Sequence, residues 1–277
     1  MDEKWLPLGF RWSGHHCGLK SDPQKPDYSL VVSDRDAVCA GVYTQNLVCA
    51  APVLWCRERT PTQSARVIVA YSGNANACTG SRGKADTKAM AADVARELGV
   101  EAEQVLVMST GIIGEFLPMD KLKAAAVEGA GQLDTGAAAF LRSANGILTT
   151  DQGHKVAGTI VETSQGPIRI ATMAKGAGMI GPNMATMLAS VVTDAGISEA
   201  DAQSILKEAV DQSFNCISVE GHTSTNDTVL LMANGAATDG FLQGEDLGRV
   251  RSAVVETLIT LAKQIPAAGE GADHLIE

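Results

Sequence analysis

The chain has 277 residues, with 22 Lys and Arg against 32 Asp and Glu, so its formal charge is −10. Hydrophobic residues make up 45% and charged residues 19%, a composition that folds around a sizeable core instead of staying disordered. The acidic balance argues against a nucleic-acid binder, no apolar run is long enough to span a membrane, and the MDEKW opening is no secretory leader, so a cytoplasmic protein is expected.

Only 4% of residues are aromatic and 28 are glycine, so the core must rest on Ala, Val, Ile, Leu and Met. Short runs rich in Val and Ile, bounded by Gly, Pro, Asp or Asn, predict strands over 28–32, 38–43, 67–71, 105–109, 159–163, 168–172, 187–193 and 228–233. Met90, Val94 and Leu98 recur at helical spacing, as do Leu122, Ala126, Ala130 and Leu133. Ser198, with Asp201 three residues on, reads as the N-cap of a helix that buries Ala202, Ile205, Leu206, Ala209 and Val210. The strongest helical pattern runs from Leu247 through Val250, Val254, Leu258 and Leu261 to Ile265, opened by the acidic turn Glu245–Asp246. Strands and helices do not strictly alternate, which places helices outside sheets that contain antiparallel pairs. The six cysteines have no paired or zinc spacing and are expected to be reduced and mostly buried. His15, His16 and Cys17 are adjacent, but sequence neighbours rarely face one metal, and no metal is predicted.

Residues 175–188 hold the densest chemistry. Gly176, Gly178 and Gly181 spell GxGxxG, a dinucleotide fingerprint only when a helix follows, with an acid about 20 residues on. Asp194 is loosely placed for that acid, while Val191, Val192 and Thr193 favour a strand, which makes the dinucleotide reading weak. The second reading centres on Thr186, after Ala185 and a turn stiffened by Pro182. A threonine hydroxyl becomes a useful nucleophile when its own free α-amine is the base, and that amine exists only if the chain is cut before Thr186. The hydroxyl could make the cut itself by attacking the Ala185 carbonyl. On these residues alone, an ordinary strand threonine is the favoured reading.

The run KGAGMIGPNMATMLA at 175–189 resembles the signature of the ornithine acetyltransferase, or ArgJ, family. So do SGNANACTG at 72–80, STGIIGEFLP at 109–118, TTD at 149–151 and TSTNDTVLL at 223–231, in the family's order. The resemblance implies a layered α/β/β/α sandwich of the self-cleaving N-terminal-nucleophile type. It implies cleavage between Ala185 and Thr186 into an α chain (1–185) and a β chain (186–277), paired as α2β2. The implied reaction moves an acetyl group from N2-acetylornithine to L-glutamate through acetyl-Thr186, in arginine biosynthesis. No cofactor is implied, though some members accept acetyl-CoA as donor. Thr110 and Gly111 match the family's oxyanion pair, suited to the tetrahedral intermediate. Lys175 and Glu270 match its charged substrate ligands, and Thr149, favoured over Thr150, matches a third. Substrates are small molecules, with no nucleic acid or membrane partner.

Three departures stand out. Gly181 and Ala177 replace the family's usual His and Ser, and Glu220-Gly221-His222 stands where an Asp-Gly-Asp run is typical. Family chains continue well beyond the GEGA segment at 269–272, whereas this one stops at Glu277, so it looks C-terminally truncated and without the Asn and Thr ligands that the family supplies there. Two alternatives therefore stay open: an inactive or incomplete relative that only binds amino acids, and an N-terminal-threonine amidohydrolase. The polar run at 222–228 either lines a site or caps a turn, and the 72–80 run carries no assigned catalytic role.

Overall fold

A single bent strand decides the architecture. The computed structural model describes residues 3–178, 180–181, 187–219 and 221–269. In chain order these form β1 (Phe10–His15), β2 (Tyr28–Tyr43), α1 (Ala51–Arg57), β3 (Thr62–Asn74), α2 (Gly80–Leu98), β4 (Val105–Ile112) and α3 (Met119–Gly131). Then follow α4 (Ala137–Gly146), β5 (Lys155–Thr163), β6 (Gly166–Lys175), β7 (Leu188–Thr193), α5 (Glu199–Asp211), β8 (Thr228–Ala233) and α6 (Gly244–Ala267). The first part of β2 pairs with β1 and β3, and its last part, Val38–Tyr43, pairs with β8. Between them Asp34, Arg35 and Asp36 are exposed, and the β2–β3 register slips. The sequence reads as two strands there because this charged corner looks like a turn; the backbone runs on through an irregularity that bends the strand.

The strand order is β4-β3-β2-β8-β7-β6-β5, with β1 beside β2. Two apolar cores lie on opposite faces of the β6–β8 strands, as the two-residue period of a strand requires. Ala171, Met173, Leu188, Val192, Leu230 and Met232 join the core built with β1 to β4. Their neighbours Ile170, Ala189, Val191, Val229 and Leu231 pack instead with α5 and α6. Helices α1 to α4 contact the β1–β4 half, so the layers run helix, sheet, sheet, helix. This is the expected α/β/β/α arrangement, with one amendment: the two sheets are joined, because β2 belongs to both.

All eight predicted strand segments are found, two of them fused in β2, and the predicted N-cap is made, with the Asp201 N–H donating to Ser198 Oγ at 3.2 Å. The sequence reading missed β1, α1 and α4, and Leu133 falls beyond the end of α3. The cysteines also differ from expectation. All six are free thiols, but only Cys39 and Cys56 are buried, while Cys17 and Cys49 are half-buried and Cys78 and Cys216 exposed. No helix among the described residues is long and apolar enough to cross a membrane.

Strand β1 can reach α4 only because Gly14 has no side chain. A Cβ there would stand 2.1 Å from the Arg142 carbonyl oxygen. Gly14→Ala is expected to lower stability by about 2–3 kcal/mol, the scale of overpacking a filled core, read as a lower urea midpoint with an unchanged slope.

Candidate active site

The ends of three strands meet at one edge. In register, Lys175 closes β6 opposite Leu188 of β7, and Leu188 stands opposite Thr228 of β8. Ala185, Thr186 and Glu270 lie outside the described residues. Met187, covalently bonded to Thr186, is described: its backbone N–H donates to Asp227 Oδ1 at 3.0 Å. Asp227 is fully buried. Burial pushes its carboxyl up to about 6, against the pull of the Met187 N–H, the Lys175 ammonium and nearby Ser224.

The polar run around Asp227 is internal and densely bonded, so it is more than a capped turn. Asn226 Nδ2 donates to the carbonyls of Ala75 (2.7 Å) and Ser109 (2.9 Å), tying the start of β8 to the end of β4. Its Oδ1 accepts from Thr225 Oγ1 at 2.6 Å. Thr44 and Ala50, from the loop after β2, donate their backbone N–H groups to the Asp227 and Thr225 carbonyls, both at 2.9 Å. The Ser72–Gly80 run acts as scaffold here. Ala75 O accepts from Asn226 and from Ser109 Oγ, while Asn76 and Thr79 bond to each other.

Asn226 thereby holds the strand that carries Thr110 and Gly111. Thr110 is buried, and Gly111 has φ +135°, where a Cβ would stand 2.3 Å from the Gly73 carbonyl carbon. The β3–β4 pairing is irregular at Gly73 and Asn74. Only glycine fits this backbone approach, and a bulge of this kind turns backbone groups out of the ladder. Gly111 lines a cavity of about 560 Å³ with Gly73, Ile112, Lys20, Lys25 and Thr149. Thr150 is exposed and is not among the residues that line it.

Lys175 is not the surface residue that a turn position suggests. It is 1% exposed, and burial lowers its pKa to about 8, with Asp151 and Asp227 opposing the drop. A carboxylate to which the sequence reading gave no role, the Asp of the TTD run, organises its surroundings. Asp151 Oδ1 accepts from Lys155 Nζ (2.6 Å) and the Gly176 N–H (2.8 Å), and Oδ2 from the Thr149 N–H (3.1 Å). One buried side chain thus joins the Thr149 loop to the residue after Lys175. Its pKa is lowered: burial acts to raise it, and the Lys155 ammonium and these donors together outweigh burial. Lys175 itself is not among the cavity-lining residues, and the link from it to Thr149 runs through Asp151.

The dinucleotide reading fails on topology, because the glycine segment leads from one antiparallel strand to the next. Asp194 is a structural anchor, accepting from the backbone N–H groups of Leu8 and Arg169 at 3.1 and 2.7 Å. Gly181 packs on Gly221, where a Cβ would lie 2.9 Å from backbone, so this chain has no room at that position for a larger residue. His15 stacks at a tilt on Tyr28, and His16 Nδ1 meets the Lys25 carbonyl.

Comparisons with known proteins agree on this frame. The model of the ArgJ family matches residues 11–277. Arginine biosynthesis bifunctional proteins ArgJ from Rhodopirellula baltica and Symbiobacterium thermophilum are both 45% identical over 98% of this chain. The chain spans 67% and 68% of their lengths, about two thirds of these relatives. Among solved structures, ornithine acetyltransferase from Mycobacterium tuberculosis, complexed with ornithine, is 38% identical at a TM-score of 0.60, over 66% of this chain and 96% of that one. The ArgJ bifunctional protein of Bacillus halodurans is 33% identical at 0.62, over 67% and 96%. An L-aminopeptidase D-Ala-esterase/amidase from Ochrobactrum anthropi, described as a variant of the Ntn hydrolase fold, is only 10% identical at 0.58, over 95% of this chain and 85% of that one, and speaks for the fold alone. With a family match over nearly its whole length and relatives at this identity, the chain belongs to the ArgJ family.

Proposed function

We propose that this chain is a self-cleaving acetyltransferase that breaks its Ala185–Thr186 bond and uses the freed Thr186 to carry an acetyl group from N2-acetylornithine to L-glutamate. The observation that carries this reading is the convergence of β4, β6, β7 and β8 at one edge. It sets the Thr110–Gly111 pair at the end of β4, Lys175 and the residue after Thr186 around a shared frame of buried hydrogen bonds. The lengths of the solved relatives support the cut. Each is covered to 96% by two thirds of this chain, the share that residues 1–185 make up.

The chemistry follows from the groups. The Thr186 hydroxyl attacks the acetyl carbonyl while its α-amine takes the proton, which then goes to the leaving amine of ornithine. The amide bond breaks and an acetyl ester forms; glutamate's amine attacks that ester in a second half-reaction, giving ping-pong kinetics. Thr110 and the Gly111 N–H stabilise each tetrahedral oxyanion. Lys175 binds the α-carboxylate common to both substrates, Thr149 is a further substrate ligand, and Glu270 holds a substrate ammonium. Acetyl-CoA serves as a second donor, no cofactor takes part, and the cleaved chains pair as α2β2 in the cytoplasm.

Intact mass spectrometry of the purified protein is expected to report pieces broken before Thr186, and Thr186→Ala a single whole chain. A wild-type chain that stays whole, or acetate release without acetylglutamate, would sink the transferase reading. Thr110→Val, which removes the hydroxyl of the oxyanion pair at nearly constant volume, is expected to lower kcat by about 10²-fold or more, the scale of losing one oxyanion donor, with the fold intact by circular dichroism. Lys175 gives a pH signature. Its folded pKa, about 8, lies below the ordinary lysine value of 10.5, so the unfolded chain binds more protons between them and stability rises with pH across that window. Lys175→Met is expected to flatten this rise in urea midpoints between pH 8 and 10, and to raise KM for both substrates.

A further inference from the structure

The cavity beside Gly111 presents a cation that the proposed reaction does not use. Lys20 and Lys25 line it together with Asp22, Gly73, Gly111 and Thr149. Lys25 and Asp22 are exposed, whereas Lys20 is half-buried. The Lys20 ammonium donates to the Pro26 carbonyl at 2.6 Å, which leaves two of its three N–H groups for other partners. The two carboxylates that act on it are committed elsewhere. Asp27 accepts from the backbone N–H groups of Cys17, Leu19 and Lys20 at 2.5, 2.8 and 2.9 Å, and Asp151 accepts from Lys155, Gly176 and Thr149.

Those same bonds fix the lysine in place. The 17–20 loop wraps the buried Asp27 carboxylate, and Lys121 Nζ donates to the Gly18 carbonyl at 2.7 Å. The loop is seated on Gly73, where a Cβ would stand 3.2 Å from the Leu19 carbonyl carbon. Gly111 approaches Gly73 in turn, with 2.3 Å from its own would-be Cβ to the Gly73 carbonyl carbon. The loop that carries Lys20 thus rests on the strand end that carries Thr110 and Gly111 through close backbone approaches, and the cation is preorganised at that end of the cavity.

What this cation selects follows from the substrates. N2-acetylornithine and glutamate share an α-carboxylate and differ at the end of the side chain, an ammonium in one and a carboxylate in the other. Lys175, to which the α-carboxylate is assigned, is not among the cavity-lining residues, and a carboxylate such as Glu270 suits only the ammonium. The second carboxylate of glutamate needs a second cation. We propose that Lys20 is a specificity-determining residue whose ammonium holds the side-chain carboxylate of the acceptor glutamate in the cavity beside Gly111. The inference rests on the acetyltransferase reading above and concerns the acceptor alone. Burial lowers the Lys20 pKa, Asp27 opposes the drop and Lys25 adds to it, so an arriving carboxylate supplies compensation that water gives only in part. The same two lysines repel the ornithine ammonium and keep the donor's tail out of this end.

The decisive comparison is of wild type, Lys20→Met, Lys20→Gln and Lys20→Arg in the full chain, all of which keep the backbone N–H that Asp27 accepts. Acetyl transfer from N2-acetylornithine is measured to glutamate and to glutamine, whose neutral amide replaces the side-chain carboxylate at the same size. Lys20→Met is expected to raise KM for glutamate about 30-fold, the scale of one charge-assisted hydrogen bond, with kcat within about threefold and KM for N2-acetylornithine within about twofold. The preference for glutamate over glutamine in kcat/KM is expected to fall about 30-fold in Lys20→Met and Lys20→Gln, and to stay within about threefold of wild type in Lys20→Arg. A merely structural lysine would weaken both acceptors alike. An unmoved preference with an unmoved glutamate KM, equal losses for both acceptors, or a raised KM for N2-acetylornithine or acetyl-CoA in place of glutamate overturns the inference and leaves the function standing. Lys20→Gln decides the matter should Lys20→Met not fold. A wild-type chain that transfers no acetyl group to glutamate overturns the function, and the inference with it.

Discussion

The whole site depends on one amide. Asn226 spends its side-chain N–H groups on two main-chain carbonyls that belong to other elements, Ala75 beyond β3 and Ser109 in β4. Through them the start of β8 is fastened to the end of β4, although the two strands lie at separate places in the sheet order. All of these atoms are buried, so none can exchange its partner for water, and an unmet carbonyl there would cost about 1–3 kcal/mol. Such a frame tolerates little drift. That tolerance matters at Gly111, whose positive φ and close approach to the Gly73 backbone leave no slack.

Two carboxylates extend the frame to the charged groups. Asp151 gathers Lys155, Thr149 and Gly176, and Asp227 takes the Met187 N–H. They meet Lys175, itself buried, in a low-dielectric setting where each charge strongly shapes the others. A lysine pulled down to about 8 and a carboxyl pushed up to about 6 are both nearer neutrality than free side chains would be. Burial drives both shifts, and it is affordable because the pair share one edge of the sheet.

Local signals in the sequence were reliable where one segment makes its own structure. The apolar run 228–233 is β8 to the residue, and Ser198 caps α5 as its spacing demands. They failed where neighbours decide. Strand β1 carries Gly14 and His15 and has little alternation, and α4 is largely alanine and small polar residues, so neither has a pattern of its own; each exists because it packs on the other. The bend in β2 is hidden for the same reason, since Ser33–Asp36 has turn chemistry and only the flanking strands keep it extended. At the site, Thr110, Gly111, Thr149 and Lys175 were legible through their resemblance to family motifs. The burial of Lys175, the bond from Gly176 to Asp151 and the bond from Met187 to Asp227 arise from pairings more than 20 residues apart in the chain or across β6, β7 and β8, which no local window contains.

The strand order has a further consequence. Strands β7 and β8, which follow residue 186, lie between β2 and β6, which precede it. A chain severed at that bond would keep its two polypeptides woven through one sheet, so they could not drift apart without tearing out central ladders. Denaturation, by contrast, would set them loose as separate molecules. Recovery would then require a second-order encounter, and dilution would penalise it. Maturation by such a cut would be a ratchet: the backbone would fold as one molecule and work as two, and its persistence would be governed by how slowly the sheet opens, not by how readily it could reform.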